Sequence, residues 1–416
     1  MIHTKEGTVC GLLGKTLGHS FSPRIHAAFA DYDYRLFEVA EDELGGFLRS
    51  GGFHALNVTI PYKQAVIPYL SGLSDRARRI GAVNTILRKS DGSLFGDNTD
   101  YDGFLYLVRR AGIRVADKKI LVLGSGGASK TVVTVLHDLC AREIIVISRG
   151  GEDNYGNLGR HADADVIVNT TPVGMYPHNG ETPLPLDGFP RLSGVLDVIY
   201  NPAKTALLLE AERRGIPYMN GLPMLVAQAK RAAELFTEES VPDGETDLVT
   251  RKIAGETANL VLVGMPGSGK STIGKRCADA LGKRFLDTDD MIRERTGRTP
   301  GEIITSDGEG TFRRIEADCV REAGKQTGVV IATGGGVVTR EENYAPLCQN
   351  GRIIYLMRDP SALPRKNRPL SAGDLGELLR VRDPLYRRFA DGTAQSQPDV
   401  RDTVKKVLEA YANATD

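Results

Sequence analysis

Two glycine-rich loops, each placed directly after a short apolar run, constrain this chain more than any other feature. The first, Gly124-Ser125-Gly126-Gly127-Ala128-Ser129, follows Ile120-Leu121-Val122-Leu123. The second, Gly264-Met265-Pro266-Gly267-Ser268-Gly269-Lys270-Ser271, follows Leu260-Val261-Leu262-Val263. A strand feeding a glycine loop that opens a helix presents backbone N–H groups to a phosphate. The first loop has no lysine and suits a dinucleotide. The second carries the Lys-Ser pair that holds a nucleoside triphosphate and its magnesium ion. Two loops of different design predict two α/β enzyme units in one polypeptide.

A length of 416 residues leaves room for roughly three domains of about 150 residues. The 53 basic residues balance 53 acidic ones, so no global field draws the chain to nucleic acid or an anionic membrane. No apolar stretch approaches the ~20 residues of a spanning helix, and Lys5 and Glu6 precede any apolar run, unlike a secretory signal. The five cysteines (Cys10, Cys140, Cys277, Cys319, Cys348) lie far apart without a C-x-x-C pair, and the seven histidines show no metal-ligand spacing. That excludes a disulfide framework and a zinc site, and it predicts reduced thiols in a cytoplasmic protein.

Residues 1–100 mix short apolar runs with glycine and proline turns, which predicts alternating strands and helices. From 120 onward the pattern is clearer: a strand at 120–123, a helix from about 128 to 141, and strands at 144–147, 166–168 and 194–199. Strands alternating with helices predict a parallel, doubly wound sheet. The polar, turn-rich stretch 237–258 predicts a domain boundary near 250–258, with 247–253 able to close the first unit as a helix. A second α/β unit then starts afresh, its loop followed by a helix from Thr272 to Leu281 that Gly282 ends.

In the first unit the amides of Gly124, Ser125, Gly126, Gly127 and Ala128 are placed to meet a pyrophosphate. The next strand ends at Ser148-Arg149, where an NAD-binding enzyme would place an acidic residue for the ribose hydroxyl; arginine instead favours the 2′-phosphate of NADP. Upstream, Asn57-Val58-Thr59-Ile60-Pro61-Tyr62-Lys63, Gly81-Ala82-Val83-Asn84-Thr85 and Gly96-Asp97-Asn98-Thr99-Asp100 each end an apolar or small-residue run in a polar cluster. Ser20 and Ser22, at alternate positions, can face one side of an extended segment. Together these groups describe a pocket rich in donors and acceptors, suited to a small polyhydroxylated acid.

Taken in order, these motifs resemble the shikimate dehydrogenase family over residues 1–255, joined by Asn169-Thr170-Thr171-Pro172-Val173-Gly174-Met175 and by Gly221-Leu222-Pro223-Met224 through Gln228-Ala229. The resemblance implies a two-lobed enzyme with a Rossmann-type NADP lobe over 101–221 and a substrate lobe over 1–100 completed by about 222–255. It implies NADPH-dependent reduction of 3-dehydroshikimate to shikimate, with Lys63 and Asp100 as the catalytic pair. Ser20, Ser22, Thr59, Asn84 and Gln228, beside that pair, would bind the acid. Where the family usually has Asn-Arg-Thr for the 2′-phosphate, this chain has Ser148-Arg149-Gly150, and Gly151 to Ala164 leaves little room for the usual helix. Phe236 stands where a tryptophan is often found.

Residues 258–416 resemble shikimate kinase, through Phe285-Leu286-Asp287-Thr288-Asp289, Phe312-Arg313-Arg314-Ile315-Glu316, Gly334-Gly335-Gly336, Arg368-Pro369-Leu370 and Arg382-Asp383-Pro384-Leu385-Tyr386. The resemblance implies a P-loop α/β domain with a parallel sheet. Gly267, Ser268, Gly269, Lys270, Ser271 and Thr272 would hold ATP, and Ser271 and Asp287 would hold Mg2+. Asp289 would bind and deprotonate the 3-hydroxyl of shikimate, Arg313, Gly335, Gly336 and Arg382 would take the rest of the substrate, and Arg368 on a lid would meet the transferred phosphoryl group. The implied partners are 3-dehydroshikimate and shikimate, with no nucleic acid and no membrane. Two alternatives stay open: an NAD-using quinate/shikimate dehydrogenase in the first half, or one half reduced to a regulatory module.

Overall fold

The computed structural model describes residues 2–5, 7–18, 20–359 and 375–414, excepting the side chain of Leu375. It divides into two compact units. The first comprises Met1–Val173, Thr182–Tyr200 and Glu210–Ile253; the second comprises Ala254–Asp416 together with the short segments Gly174–Glu181 and Asn201–Leu209.

The first unit contains two sheets. One is built from β1 (Val9–Gly14), β2 (Asp33–Glu38), β3 (Ala55–Val58), β4 (Gly72–Leu73), β5 (Thr85–Arg88) and β6 (Leu94–Asp97), in the order β2-β1-β3-β5-β6-β4. It is mixed: β1 runs parallel to β2 and β3, whereas β5 is antiparallel to both β3 and β6. The antiparallel turn-back matters for function, because it brings Thr85 opposite both Asn57 and Asp97. Three polar motifs that are distant in sequence therefore meet at one end of three adjacent strands.

The other sheet is β7 (Lys119–Leu123), β8 (Glu143–Ile147), β9 (Val166–Asn169), β10 (Gly194–Asp197) and β11 (Tyr218–Met219), in the order β11-β10-β9-β7-β8. All its pairings are parallel. Every residue of β7 and β9 is buried, as continuous apolar runs in a sheet covered on both faces must be. Because β7 is flanked by β8 on one side and β9 on the other, the loop after it lies at the topological switch point where ligands bind.

The second unit repeats that logic with β12 (Asn259–Val263), β13 (Arg284–Asp287), β14 (Val329–Ala332), β15 (Gly351–Met357) and β16 (Gly392–Gln395), ordered β13-β14-β12-β15-β16 and wholly parallel. Fully buried β12 delivers its glycine loop between β14 and β15, again at a switch point. The helix Lys270–Leu281 ends at Gly282 with φ 61°, a left-handed cap that glycine adopts without strain.

Two local expectations need correction. The stretch read as turn-rich contains a helix, Glu245–Thr257, longer than the 247–253 segment anticipated. Its buried residues Thr246, Val249, Thr250 and Ile253 fall on one helical stripe, and two threonines in that stripe disguised it as polar. Ser22 does not lie on an extended segment either. It opens the helix Ser22–Phe29, because Pro23 is preorganised for a first helical turn.

Candidate active sites

In the first unit, the chain leaving β3 turns through two backbone bonds, Thr59 N–H to Leu13 O at 2.9 Å and Tyr62 N–H to Thr59 O at 2.8 Å. This turn starts the short helix Tyr62–Ala65 and raises Lys63 out of it. The Lys63 carbonyl accepts Val83 N–H at 2.7 Å, so the backbone beneath the ammonium is fixed to the segment carrying Asn84. Asp100 is the first residue of the helix Asp100–Ala111, where the helix dipole favours a carboxylate. Its Oδ2 accepts from the Lys63 ammonium, and the two side chains are 8% and 17% exposed. The pair is thus held from two elements in a largely dry setting, yet the lysine keeps access to a ligand.

Asn84 ties the surrounding polar groups together. Its Oδ1 accepts from Thr99 N–H at 2.7 Å and from the Thr85 hydroxyl at 3.0 Å, while its amide donates to Thr99 Oγ1 at 3.1 Å and Gln228 Oε1 at 3.4 Å. Gln228 comes from the helix Leu222–Thr237, which packs against Asp100–Ala111 across Gly103; a Cβ there would stand 2.6 Å from Met224 O. Close backbone approach at that glycine is what lets Gln228 reach Asn84. Ser20 Oγ accepts Ser22 N–H at 3.2 Å, which keeps the two serines together although Ser22 is helical. Thr59 packs at the end of β1, where a Cβ on Gly14 would meet its methyl at 2.8 Å.

Sequence reasoning missed the groups behind these serines. The Tyr34 hydroxyl donates to Asn57 Oδ1 at 2.8 Å and also meets Ser22. Its ring stacks on His26 at 4.0 Å, and burial holds the His26 imidazole neutral, at about 3. Tyr200, just beyond β10, places its ring 5.2 Å from Phe21, between Ser20 and Ser22 in sequence. A lone tyrosine before an Asn-Pro turn carried no pattern that could have marked it.

The loop after β7 fits a dinucleotide. Gly124 has φ 101°, and a Cβ on it would meet Thr170 Oγ1 at 3.0 Å, whereas the space in front of Gly126 is open. Gly126 caps the helix Gly127–Asp138 without a side-chain bond, leaving N–H groups of Gly127 and Ala128 directed beyond the helix end. Ser125 precedes them in the same turn. At the end of β8, Ser148 N–H donates to Asp153 O at 3.2 Å, closing a loop that Asn154 and Asn157 brace with side-chain bonds. Only a single 3-10 turn, Leu158–His161, fits before β9, as the short segment required. Tyr155 lies close enough to Arg149 to feel its charge.

In the second unit, the Lys270 ammonium donates to Gly264 O at 2.8 Å and Met265 O at 3.0 Å, folded against its own loop. Gly267 and Gly269 take φ of 83° and 100°, which glycine permits. The Ser268 hydroxyl is buried with no protein partner among the described residues, a polar atom that a phosphate oxygen would satisfy. Ser271 and Thr272 follow in the first helical turn, both exposed. Ser271 Oγ donates to Asp287 Oδ2 at 2.6 Å, bringing together the two residues read as metal-holding. No group of three or more His, Cys, Asp or Glu that could hold a metal occurs among the described residues. A magnesium ion bound mainly by phosphate and water needs no such group.

Asp287 caps the helix Thr288–Thr296 by accepting Asp289 N–H at 3.0 Å. Burial, reinforced by the Asp287 charge, pushes the Asp289 carboxyl up to about 6, against the pull of Lys270. Arg313 and Glu316 form a buried pair at 2.7 Å on the helix Glu309–Lys325, and Glu316 is a site neighbour that the motif alone did not mark. Around them lie Gly334, Gly335 and Gly336. A Cβ on Gly334 would stand 2.7 Å from Glu316 Oε1 and 3.2 Å from Asp289 Oδ1, and one on Gly336 2.2 Å from Arg313 Nη2. Arg382 Nη1 donates to Gly335 O at 3.1 Å. Arg368 lies outside the described residues.

Two independent arrangements are therefore present: an ammonium–carboxylate couple beside a dinucleotide loop, and a phosphate cradle facing an acid with two arginines. Comparison with known proteins gives the family that each part of the chain resembles. A shikimate dehydrogenase (NADP(+)) of Clostridium beijerinckii is 38% identical over 247 residues, spanning 55% of this chain and 91% of that protein. The chain belongs to the shikimate dehydrogenase family. A second dehydrogenase of the same name, from Moorella thermoacetica, is 36% identical over 301 residues and is covered completely. Residues 12–86 match the family model for the shikimate dehydrogenase substrate binding domain, and residues 266–412 match the model for shikimate kinase. Among solved structures, a chorismate mutase/shikimate 5-dehydrogenase fusion from Clostridium acetobutylicum aligns with a TM-score of 0.57 at 35% identity, covering 60% of this chain and 98% of that one. The Thermus thermophilus dehydrogenase in complex with NADP(H) and shikimate aligns at 0.54 with 32% identity, covering 59% and 99%. This shikimate dehydrogenase relative thus carries a second catalytic domain after the part that the dehydrogenases share.

Proposed function

We infer that the chain carries out two consecutive reactions: NADPH-dependent reduction of 3-dehydroshikimate to shikimate, then ATP-dependent phosphorylation of shikimate at its 3-hydroxyl. The carrying observation is that the match to the dehydrogenases and the match to shikimate kinase occupy successive parts of one chain, and the product of the first reaction is the substrate of the second. The curated dehydrogenases described above are named for NADP(+), which supports NADP over the NAD-using alternative. We assign residues 1–100 with 222–255 to the substrate lobe, 101–221 to the NADP lobe and 258–416 to the kinase. Reduced, well-separated thiols fit a cytoplasmic enzyme, and among the described residues no helix is long and apolar enough to cross a membrane.

In the reductase site, bound NADPH supplies the hydride. Lys63 donates the proton that the reduced carbonyl oxygen needs, and Asp100 orients the ammonium and accepts a ring hydroxyl. General-acid help of this kind contributes ~10²–10⁴-fold. Ser20, Ser22 and Thr59 take the carboxylate side of the substrate; Asn84, through Gln228, sets the hydroxyl side. Ser148 and Arg149 receive the 2′-phosphate.

In the kinase site, bound ATP supplies the γ-phosphoryl group. Lys270 leaves its loop carbonyls to neutralise phosphate charge, Ser271 and Asp287 hold Mg2+, and Asp289 takes the proton of the 3-hydroxyl. Arg313 and Arg382 clamp the carboxylate, with Gly335 and Gly336 admitting the ring close to the backbone. Arg368 stabilises the transferring group.

The test is a single coupled reaction. Purified protein given 3-dehydroshikimate, NADPH and ATP–magnesium should release NADP+, ADP and shikimate 3-phosphate in equal amounts. Consumption of one nucleotide without the other would leave one half without the activity assigned to it.

A further inference from the structure

Beyond the groups that would touch substrate, one buried hydroxyl converges on the kinase glycine loop. The helix Leu375–Phe389 carries Arg382 and Tyr386 four residues apart, hence on one face. Both donate to the same atom, the carbonyl oxygen of Gly335: Arg382 through Nη1 at 3.1 Å, Tyr386 through its hydroxyl. Tyr386 is fully buried, its ring stacked on Tyr355 at 4.8 Å and its hydroxyl 4.0 Å from Met265 Sδ in the phosphate loop. Burial pushes that phenol up to about 12, so it remains a donor throughout the physiological range.

The peptide it grips has no slack. A Cβ on Gly335 would stand 2.5 Å from Pro266 Cγ, and one on Gly336 would overlap the Arg313 guanidinium. In a planar trans peptide the N–H of Gly336 points opposite to the carbonyl of Gly335. Among the described residues that N–H has no backbone acceptor. Holding the carbonyl toward Tyr386 therefore aims the amide away from this helix.

We propose that Tyr386 is a positioning residue for carboxylate recognition in the kinase: by fixing the Gly335 carbonyl, it presents the Gly336 N–H to the substrate carboxylate. This rests on the kinase reading of the site. Without the phenol, Arg382 is the remaining one of these two donors on the carbonyl, and the peptide loses the buried bond that fixes its orientation.

The experiment uses the full chain with Tyr386→Phe, which keeps the ring and its stack, beside Tyr355→Phe. Tyr355 belongs to the same aromatic pair, but its hydroxyl donates to Asp383 at 3.0 Å and not to the glycine loop. Tyr386→Phe should raise the KM for shikimate about tenfold, leave the KM for ATP within twofold, and leave 3-dehydroshikimate reduction unchanged. The preference for shikimate over its methyl ester should shrink by the same factor, because the ester lacks the anion. Tyr355→Phe should change neither KM. The proposal is overturned if the shikimate KM of Tyr386→Phe stays within twofold of the parent, if acid and ester weaken equally, or if both KM values rise together with a lowered thermal midpoint. A parent chain that phosphorylates no shikimate would overturn the kinase reading itself, a result separate from all of these.

Discussion

Lys63 packs against Gly127: a Cβ placed on that glycine would stand 3.5 Å from Lys63 Cβ. The residue that pairs with Asp100 is thus in contact with the first turn of the helix that the dinucleotide loop opens. The proposed proton donor and the dinucleotide loop share one wall, the geometry that a ketone reduction needs, with hydride and proton reaching adjacent atoms.

Lys63→Ala should lower reduction by ~10²–10⁴-fold, the range of general-acid catalysis. Phosphorylation of added shikimate by that variant should remain at the parent rate. Lys270→Ala should give the reverse, because the cradle loses its charge on the phosphates. Initial rates of each half-reaction, measured separately on both variants, decide the matter. Loss of both activities from one substitution in a folded protein would contradict independent sites.

Arg149→Ala should weaken NADPH selectively. A charge-assisted bond to phosphate contributes about 1.5–3 kcal/mol, so the KM for NADPH should rise roughly 10–100-fold while that for NADH barely moves. Equal weakening of both nucleotides would show that Arg149 does not meet the 2′-phosphate.

Asp289 links pH to both activity and stability in the kinase. Burial and the neighbouring Asp287 charge lift its carboxyl from 3.8 to about 6, so the fold favours the protonated form. The associated stabilisation is complete below the unfolded value and is lost as pH rises through about 6. By neutral pH the ionised group is a net cost to the fold. With ionised Asp289 as the proposed base, phosphorylation should fall off on the acid side near pH 6. Asp289→Asn should abolish phosphorylation and raise the kinase unfolding midpoint at pH 7.5. A midpoint that drops instead would mean the carboxylate is stabilised by partners.

Gly103→Ala should destabilise the first unit, against the usual helical preference for alanine. That preference is worth up to about 1 kcal/mol, but the new methyl meets Met224 O at 2.6 Å, and backbone cannot yield cheaply. Overpacking of this kind costs typically 1–3 kcal/mol. As the two helices separate, Gln228 recedes from Asn84, so the KM for 3-dehydroshikimate should rise as well. Calorimetry together with reductase kinetics tests both effects.

Much of this protein could be read without coordinates, for a physical reason. A fully buried parallel strand must be a continuous apolar run, and a backbone phosphate cradle must have glycine at fixed spacing. Ile120–Leu123 with Gly124–Ala128, and Leu260–Val263 with Gly264–Ser271, therefore announce themselves locally. The polar motifs around Lys63, Asn84 and Asp100 were legible as clusters ending apolar or small-residue runs, and their roles came from the family resemblance.

What only the tertiary structure decided is how separated groups meet. The antiparallel return of β5 brings Asn84 beside Thr99, Gly103 lets Gln228 reach it, and Tyr34 supports Ser22 from a neighbouring strand. Likewise the helix hidden at Glu245–Thr257 is tied to a distant one by Tyr106, which donates to Asp247 at 2.7 Å. Hydrogen bonds and close packing act through space over a few ångströms, and their partners lie tens to hundreds of residues apart, where no local pattern can register them.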